Sequence, residues 1–317
     1  MEISNLLLKL SRRLFSDSSE QERFIQALKS PQIFRPCIIW CGDKPTLPFS
    51  VEKLTAWQPF FVDCLSIGEK PGQHPYHASG YYYCLDFSSV FAASTLLTIP
   101  SPVNSIFDMC AAPGGKSIFA WRALQPDLLI CNEVIGKRIG MLIYNLKRCH
   151  ITPSIVLNID SENIAQLIPN SSNLVIVDAP CTGQSLIAKG GKAPGCFHPT
   201  LINKSANRQK RIIANSAKIV APQGYLAYIT CTYSIEENEQ VCEWFLAKFP
   251  QFEPVVIPHL AANWSHLSDL PCYRMWPQDG LGAGAFTVLF KNNVDGKINH
   301  LDPEVLAKHG RVSKISA

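Results

Sequence analysis

From Ser105 onward, short unbroken apolar runs alternate with longer stretches whose apolar residues recur every three or four positions. The first pattern predicts buried strands and the second amphipathic helices; in alternation they give a parallel α/β sheet. Strands are expected near Ile106 to Met109, Leu128 to Glu133, Ile155 to Asp160, Leu174 to Asp178 and Tyr225 to Cys231. Helices are expected near Lys116 to Leu124, Lys137 to Cys149 and Lys204 to Val220. Another should open at Ser234, where Ser-x-x-Glu ending at Glu237 has the form of a capping box. A final strand, Phe286 to Phe290, should pair antiparallel at one end of the sheet. Residues 1–75 break this rhythm with a helix, a Pro-broken stretch from Pro31 to Pro48 and a Pro/Gly turn from Lys70 to Pro75. They read as a small N-terminal α+β subdomain. Residues 76–291 read as the main domain and 292–317 as a polar tail.

Hydrophobic residues make up 47% of the 317, enough for a full core, and no run reaches the roughly 18 apolar residues of a spanning helix. The start lacks a signal peptide's pattern. Leu6 to Phe15 reads as an amphipathic helix rather than an organellar presequence, because Asp17, Glu20 and Glu22 follow at once. The twelve cysteines contain no Cys-x-x-Cys pair, so zinc spacing is absent and free thiols are expected. A soluble cytoplasmic protein, by default monomeric and without a metal, is the expectation. Residues 134–159 and 179–235 hold eleven Lys or Arg and no acid, leaving the remainder net acidic. The second stretch carries Lys189, Lys192, Lys204, Arg208, Lys210, Arg211 and Lys218, a stripe suited to the phosphates of a polyanion or to a solvated helix face.

In open α/β sheets, ligands bind beyond the carboxyl ends of the strands. There the first strand gives way to Asp108-Met109-Cys110-Ala111-Ala112-Pro113-Gly114-Gly115-Lys116-Ser117. Two glycines let backbone amides and a helix N-terminus approach a ligand closely. Gly115-Lys116-Ser117 resembles the end of a triphosphate-binding loop, but that loop needs glycine where Cys110 stands, and the nicotinamide fingerprint is missing too. Glu133, Asp160 and Asp178 close the next three strands. Glu133 is placed to accept from ribose hydroxyls, and the three acids together point to a nucleoside-bearing cofactor.

The sharpest pattern is Asp178-Ala179-Pro180-Cys181-Thr182-Gly183 after the fourth strand with Thr230-Cys231-Thr232-Tyr233-Ser234 after the fifth. Neighbouring strands lie about 4.8 Å apart, so both thiols can enter one pocket. Carbon 5 of cytosine is a poor nucleophile until a thiolate adds at carbon 6, with a carboxyl group assisting at ring nitrogen 3. One cysteine and one acid meet that need.

With these motifs in this order, residues 75 to 291 resemble the RNA cytosine-5 methyltransferases of the Fmu/Sun class, which depend on S-adenosylmethionine. The resemblance implies a Rossmann-like seven-stranded methyltransferase sheet. It assigns the cofactor to Cys110, Ala111, Ala112, Pro113, Gly114, Gly115 and Lys116, with Glu133, Asp160 and Asp178. It makes Cys231 the nucleophile and gives Cys181 the release of the methylated base. Structured RNA is the implied substrate, ribosomal in preference to transfer RNA, with Pro180, Lys189, Lys192, Arg208 and Arg211 as candidate contacts. Gly80 to Ser89 and Arg274 to Lys291 resemble further family segments, with Leu85 in place of a usual Gln and Ala285 in place of a common aromatic. The family's N-terminal Arg-x-Asn-x-Leu is not evident; Arg35-Pro36-Cys37 stands there. Two rival classes are a DNA cytosine-5 methyltransferase, which would use Cys181 as nucleophile, and a non-catalytic RNA-binding or ribosome-assembly protein.

Overall fold

The computed structural model describes residues 4–46, 48–302, 306 and 311–315. The chain opens with helices α1 (Asn5–Leu14) and α2 (Ser18–Lys29), then β1 (Pro36–Trp40), β2 (Val51–Glu52), β3 (Val62–Leu65), one-turn α3 (Pro75–Ala78), β4 (Tyr82–Asp86) and α4 (Phe87–Ala93). Next come β5 (Ser105–Asp108), α5 (Gly115–Leu124), β6 (Leu128–Asn132), α6 (Gly136–Arg148), β7 (Ser154–Asn158), α7 (Ser161–Leu167) and β8 (Ser172–Asp178). The chain continues through α8 (Ser185–Ala188), α9 (Pro199–Ala217), β9 (Val220–Thr230), α10 (Glu239–Lys248), β10 (Phe252–Pro254), β11 (Tyr273–Met275), β12 (Ala285–Asn292) and β13 (Arg311–Ile315).

The large sheet runs β10-β12-β9-β8-β5-β6-β7-β13, with β11 pairing the other half of β12. β5 to β9 are parallel; β10, β12 and β13 are antiparallel to their neighbours. Without β11 and β13 this is the seven-stranded Rossmann-like arrangement expected. Alternate residues of one strand feed opposite layers: Leu174 and Ile176 of β8 join the core under α4, α5 and α6, whereas Val175 and Val177 join the core under α7, α9 and α10. Helices on both faces explain why these strands read as unbroken apolar runs. Connections leave β5 and β8 in opposite directions, which opens a crevice between their carboxyl ends.

Three expectations change. The tail does not stay polar and apart, because β13 pairs with β7 from Arg311↔Asn158 to Ile315↔Ser154 and covers an otherwise open sheet edge. The small sheet, β2-β3-β1-β4, takes its fourth strand from beyond residue 75, and its Cys37, Ile39 and Cys64 share a core with α5. Helices α1 and α2 do not join that sheet; Leu7, Leu10, Phe15 and Phe24 pack with Ile187, Tyr233 and Ala283. Gly80 shows how tightly the small sheet meets α6: at φ +78° it lies where a Cβ would fall 1.6 Å from the Arg148 carbonyl oxygen. The third change concerns Ser234. Its hydroxyl makes no cap, and a 3₁₀ turn over Ile235–Glu237 precedes α10. Gln184 donates to Ser234 Oγ at 2.6 Å, while the Glu237 carboxylate is drawn into the site. Among the described residues no helix is long and apolar enough to cross a membrane.

Candidate functional site

The glycine loop turns tightly after β5. Gly114 sits at φ +112° as the N-cap of α5, a conformation open to glycine at no steric cost. A Cβ on Gly115 would lie 2.7 Å from Leu85 Cδ1, so the second glycine lets the loop close on β4. Beneath the loop, fully buried Asp108 accepts from Ser117 Oγ at 2.6 Å and from the Cys110 amide at 3.3 Å. Burial pushes its carboxyl up to about 7, with the Ser117 bond opposing and the Asp178 charge adding. Ala111 and Ala112 are buried and Pro113 exposed; the Pro113 carbonyl accepts from Asn145 at 2.8 Å.

Glu133, just past β6, is 3% exposed. Its Oε1 accepts from the Ile135 amide at 2.8 Å; Oε2 makes no hydrogen bond but lies 3.0 Å from Arg138 Nη1. A buried carboxylate oxygen with acceptor capacity left over is what paired ribose hydroxyls would use. Half-buried Asp160 caps α7 through the Glu162 amide at 2.9 Å. Asp178, at the end of β8, is held by Lys116 Nζ at 2.7 Å, which ties the glycine loop to the cysteine loops. Burial alone would lower the Lys116 ammonium's pKa; Asp178, together with Cys231 and Asp86, raises it above the ordinary value.

The two cysteines meet beyond β8 and β9. Cys181 Sγ and Cys231 Sγ lie 3.2 Å apart, with Cys231 exposed and Cys181 half-buried. The hydrogen bond from Cys181 lowers the Cys231 pKa below the usual thiol value; burial and Asp178 oppose this, while Lys116 and Ser185 assist. The same bond, with burial, pushes Cys181 up. The two sulfurs thus share one hydrogen bond, which favours the thiolate form on Cys231.

Among the basic candidates, Lys189 pairs with Asp86 at 3.2 Å and so closes the rim against the small sheet. Lys192 is exposed in a loop turning at Gly190 and Gly195. α9 buries Ile202, Ala206, Ile212 and Ile213 and leaves Lys204, Arg208 and Arg211 exposed. Arg208 reaches the site by donating to the Pro180 carbonyl at 3.3 Å.

Sequence reasoning missed the residues behind the cysteines. Gln184 accepts from the Tyr233 amide at 2.8 Å, Glu237 binds both cysteine loops, and buried Glu239 pairs with Arg274. The available signal was the acidic run Glu236, Glu237, Asn238, Glu239 opening a helix, where solvated acids are the usual reading.

A family model described as 16S rRNA methyltransferase RsmB/F matches residues 95–291. The ribosomal RNA small subunit methyltransferase F of Vibrio cholerae is 34% identical over 189 residues, 59% of this chain and 40% of that protein. Its namesake from Pectobacterium carotovorum is 30% identical over 175 residues, 55% of this chain and 36% of that protein. The match thus spans well under half the length of these curated relatives. Among solved structures, a methyltransferase homolog protein from Pyrococcus horikoshii superposes with TM-score 0.69 at 22% identity, covering 92% of this chain and all of that one. NSun6 from the same organism gives 0.69 at 18%, covering 92% and 99%. At these identities the structural likeness speaks for the fold.

Proposed function

Because the chain belongs to the 16S rRNA methyltransferase RsmB/F family, we propose that it methylates carbon 5 of a cytidine in structured ribosomal RNA, with S-adenosylmethionine as the methyl donor. The observation that carries the reading is the pair Cys181 and Cys231, 3.2 Å apart beside the Lys116–Asp178 ion pair. S-adenosylmethionine, when bound, supplies an electrophilic methyl group. The residues fit it: the backbone amides at the N-terminus of α5, from Gly115 and Lys116, suit its carboxylate, and the spare acceptor capacity of Glu133 suits its ribose hydroxyls. Asp160, engaged as a helix cap, and Asp178 flank the same crevice.

Catalysis then follows from the chain's own groups. The Cys231 thiolate adds to carbon 6 of an extruded cytidine, while the Asp178 carboxyl group, fixed by Lys116, assists at ring nitrogen 3. The addition makes carbon 5 nucleophilic toward the methyl group. A base, water included, takes the carbon 5 proton, and elimination from carbon 6 returns the Cys231 thiolate, with Cys181 assisting release. Extrusion costs a few kcal/mol unless the base is already unpaired, which favours loops of folded RNA. Pro180, Lys192, Arg208 and Arg211 form the strand-binding rim, with Lys189 at its junction to the small sheet. The protein works as a monomer in the cytoplasm, a setting in keeping with twelve unpaired cysteines.

The test is incubation with unmodified small-subunit RNA and methyl-labelled donor, followed by nucleoside mass spectrometry. Labelled 5-methylcytidine is expected; label on DNA alone, or on no nucleic acid, overturns the reading. RNA affinity should fall steeply with salt. Replacing Arg208 and Arg211 by Ala should reduce the slope of log K against log[salt] by roughly one per lost phosphate contact. A flat salt response in the unaltered protein removes the basic rim from the account.

A further inference from the structure

Glu237 is a fully buried carboxylate on the 3₁₀ turn before α10. Its Oε1 accepts from the Thr182 amide at 2.9 Å and from Gln209 Nε2 at 3.0 Å. Its Oε2 accepts from Thr182 Oγ1 at 2.5 Å and from Thr232 Oγ1 at 3.3 Å. Thr182 and Thr232 immediately follow Cys181 and Cys231, and their hydroxyls lie 2.9 Å apart. One carboxylate therefore fastens both cysteine-bearing loops, and the turn that carries it is itself pinned by Tyr228 Oη donating to the Glu237 carbonyl at 2.7 Å.

We propose that Glu237 is a positioning residue for the proposed methyl transfer, setting the separation and mutual orientation of Cys181 and Cys231 through Thr182 and Thr232. The inference rests on the functional reading above, but its first readout needs neither RNA nor methyl donor. Four donors converge on a site that water does not reach, so the carboxylate is over-determined and its loops cannot drift independently. A surface acid at a helix start would instead face solvent and stabilise only its own helix. Gln at this position preserves the geometry: its carbonyl can accept from the Thr182 amide and Gln209, and its amide can donate to the two threonine hydroxyls, which still have acceptor capacity. Leu removes every bond while keeping the volume.

The experiment is the pH profile of Cys231 alkylation by iodoacetamide, read by peptide mass spectrometry in the full chain, for Glu237→Gln and Glu237→Leu beside the unaltered protein. The groups facing Cys231 are Cys181, Asp178, Lys116, Ser185 and Tyr233, and none is changed in either variant. In Glu237→Leu the loops part and the Cys181 bond is lost. The half-alkylation pH then rises by roughly one unit, the worth of one thiol hydrogen bond. Methylation should lose roughly 10- to 100-fold in kcat with KM for RNA within about twofold, because a small misplacement of reacting groups is costly. Glu237→Gln should restore both readouts. An unshifted alkylation profile in folded Glu237→Leu overturns the proposal, as does a Gln variant as impaired as Leu, which would assign the effect to charge. Should Glu237→Leu fail to fold, Thr182→Val combined with Thr232→Val decides by the same two readouts. If the alkylation profile shifts while the unaltered protein methylates no RNA, the positioning geometry stands and the functional reading falls.

Discussion

Replacing Cys231 by Ala is expected to abolish 5-methylcytidine formation, and replacing Cys181 by Ala is expected to leave protein covalently attached to RNA. Cys231 is the exposed thiol of the pair and the one whose pKa is lowered, by the Cys181 hydrogen bond before all else. In the proposed mechanism it is the group that adds to the pyrimidine. Without it the remaining machinery only binds, and losses on the order of 10⁴-fold or more are usual when a covalent nucleophile is removed. Cys231→Ser keeps the shape but offers a hydroxyl that is barely ionised near neutral pH, so it should be as inert as Ala. Cys181→Ala behaves differently: addition and methylation still occur, but release stalls. A slowly migrating protein–RNA band should accumulate on denaturing gels, sensitive to nuclease and absent from the double variant. Removing the Cys181 donor also raises the Cys231 pKa toward that of an ordinary thiol, so less thiolate is present at neutral pH and more as pH rises. Adduct formation by Cys181→Ala should accordingly shift to higher pH. If Cys181→Ala turns over normally while Cys231→Ala forms the trapped adduct, the two thiols exchange roles and the DNA-type assignment of the nucleophile returns.

The central sheet was legible because its strands are buried on both faces: β8 appears as Leu174 to Asp178 without a polar break until Asp178 itself. The site loops were legible for a related reason. Gly114, Gly115 and the two cysteines sit at strand ends, where loop chemistry is dictated by what the loop must approach. β10, β11 and β13 were not legible. The first two have three residues each, too short for any period to show, and exist because β12 offers them free backbone groups. β13, with Arg, Ser and Lys among its five residues, is a strand only because β7 leaves an edge to pair. Ser234 and Glu237 failed in an instructive way. A capping box is a local pattern, but both side chains found stronger partners on the Cys181 loop, and tertiary hydrogen bonds displaced the local one. The same competition moved α1 and α2 away from the small sheet, since Phe15 and Phe24 find Trp276 and Tyr233 beside the cysteine loops.

Breaking the ion pair between Arg274 and Glu239 should cost more stability than any other single polar change near the site. The two side chains are 2% and 0% exposed, and Arg274 Nε donates to Glu239 Oε1 at 2.6 Å while Nη2 engages Oε2. Ser265 Oγ adds a donor to Oε1 at 2.7 Å, and the guanidinium lies 4.9 Å from the Trp276 ring centre and 5.4 Å from that of Phe286. Burial would raise the Glu239 pKa, yet the Arg274 charge and hydrogen bonds bring it below the usual value, so the carboxylate is ionised and fully dependent on its partner. Arg274→Met keeps the apolar contact with the rings but leaves that charge buried and unpaired, at a cost of about 3–5 kcal/mol. Thermal unfolding should move down by roughly 5–10 °C. Arg274→Met combined with Glu239→Leu removes both charges and should recover much of the loss, since a buried pair is worth little against apolar groups of similar volume. A double variant no more stable than the single one would refute that accounting. Activity separates the two roles of Arg274, because Nη1 also donates to the Tyr233 carbonyl at 3.1 Å, two residues beyond Cys231. The double variant should therefore regain stability without regaining the full methylation rate.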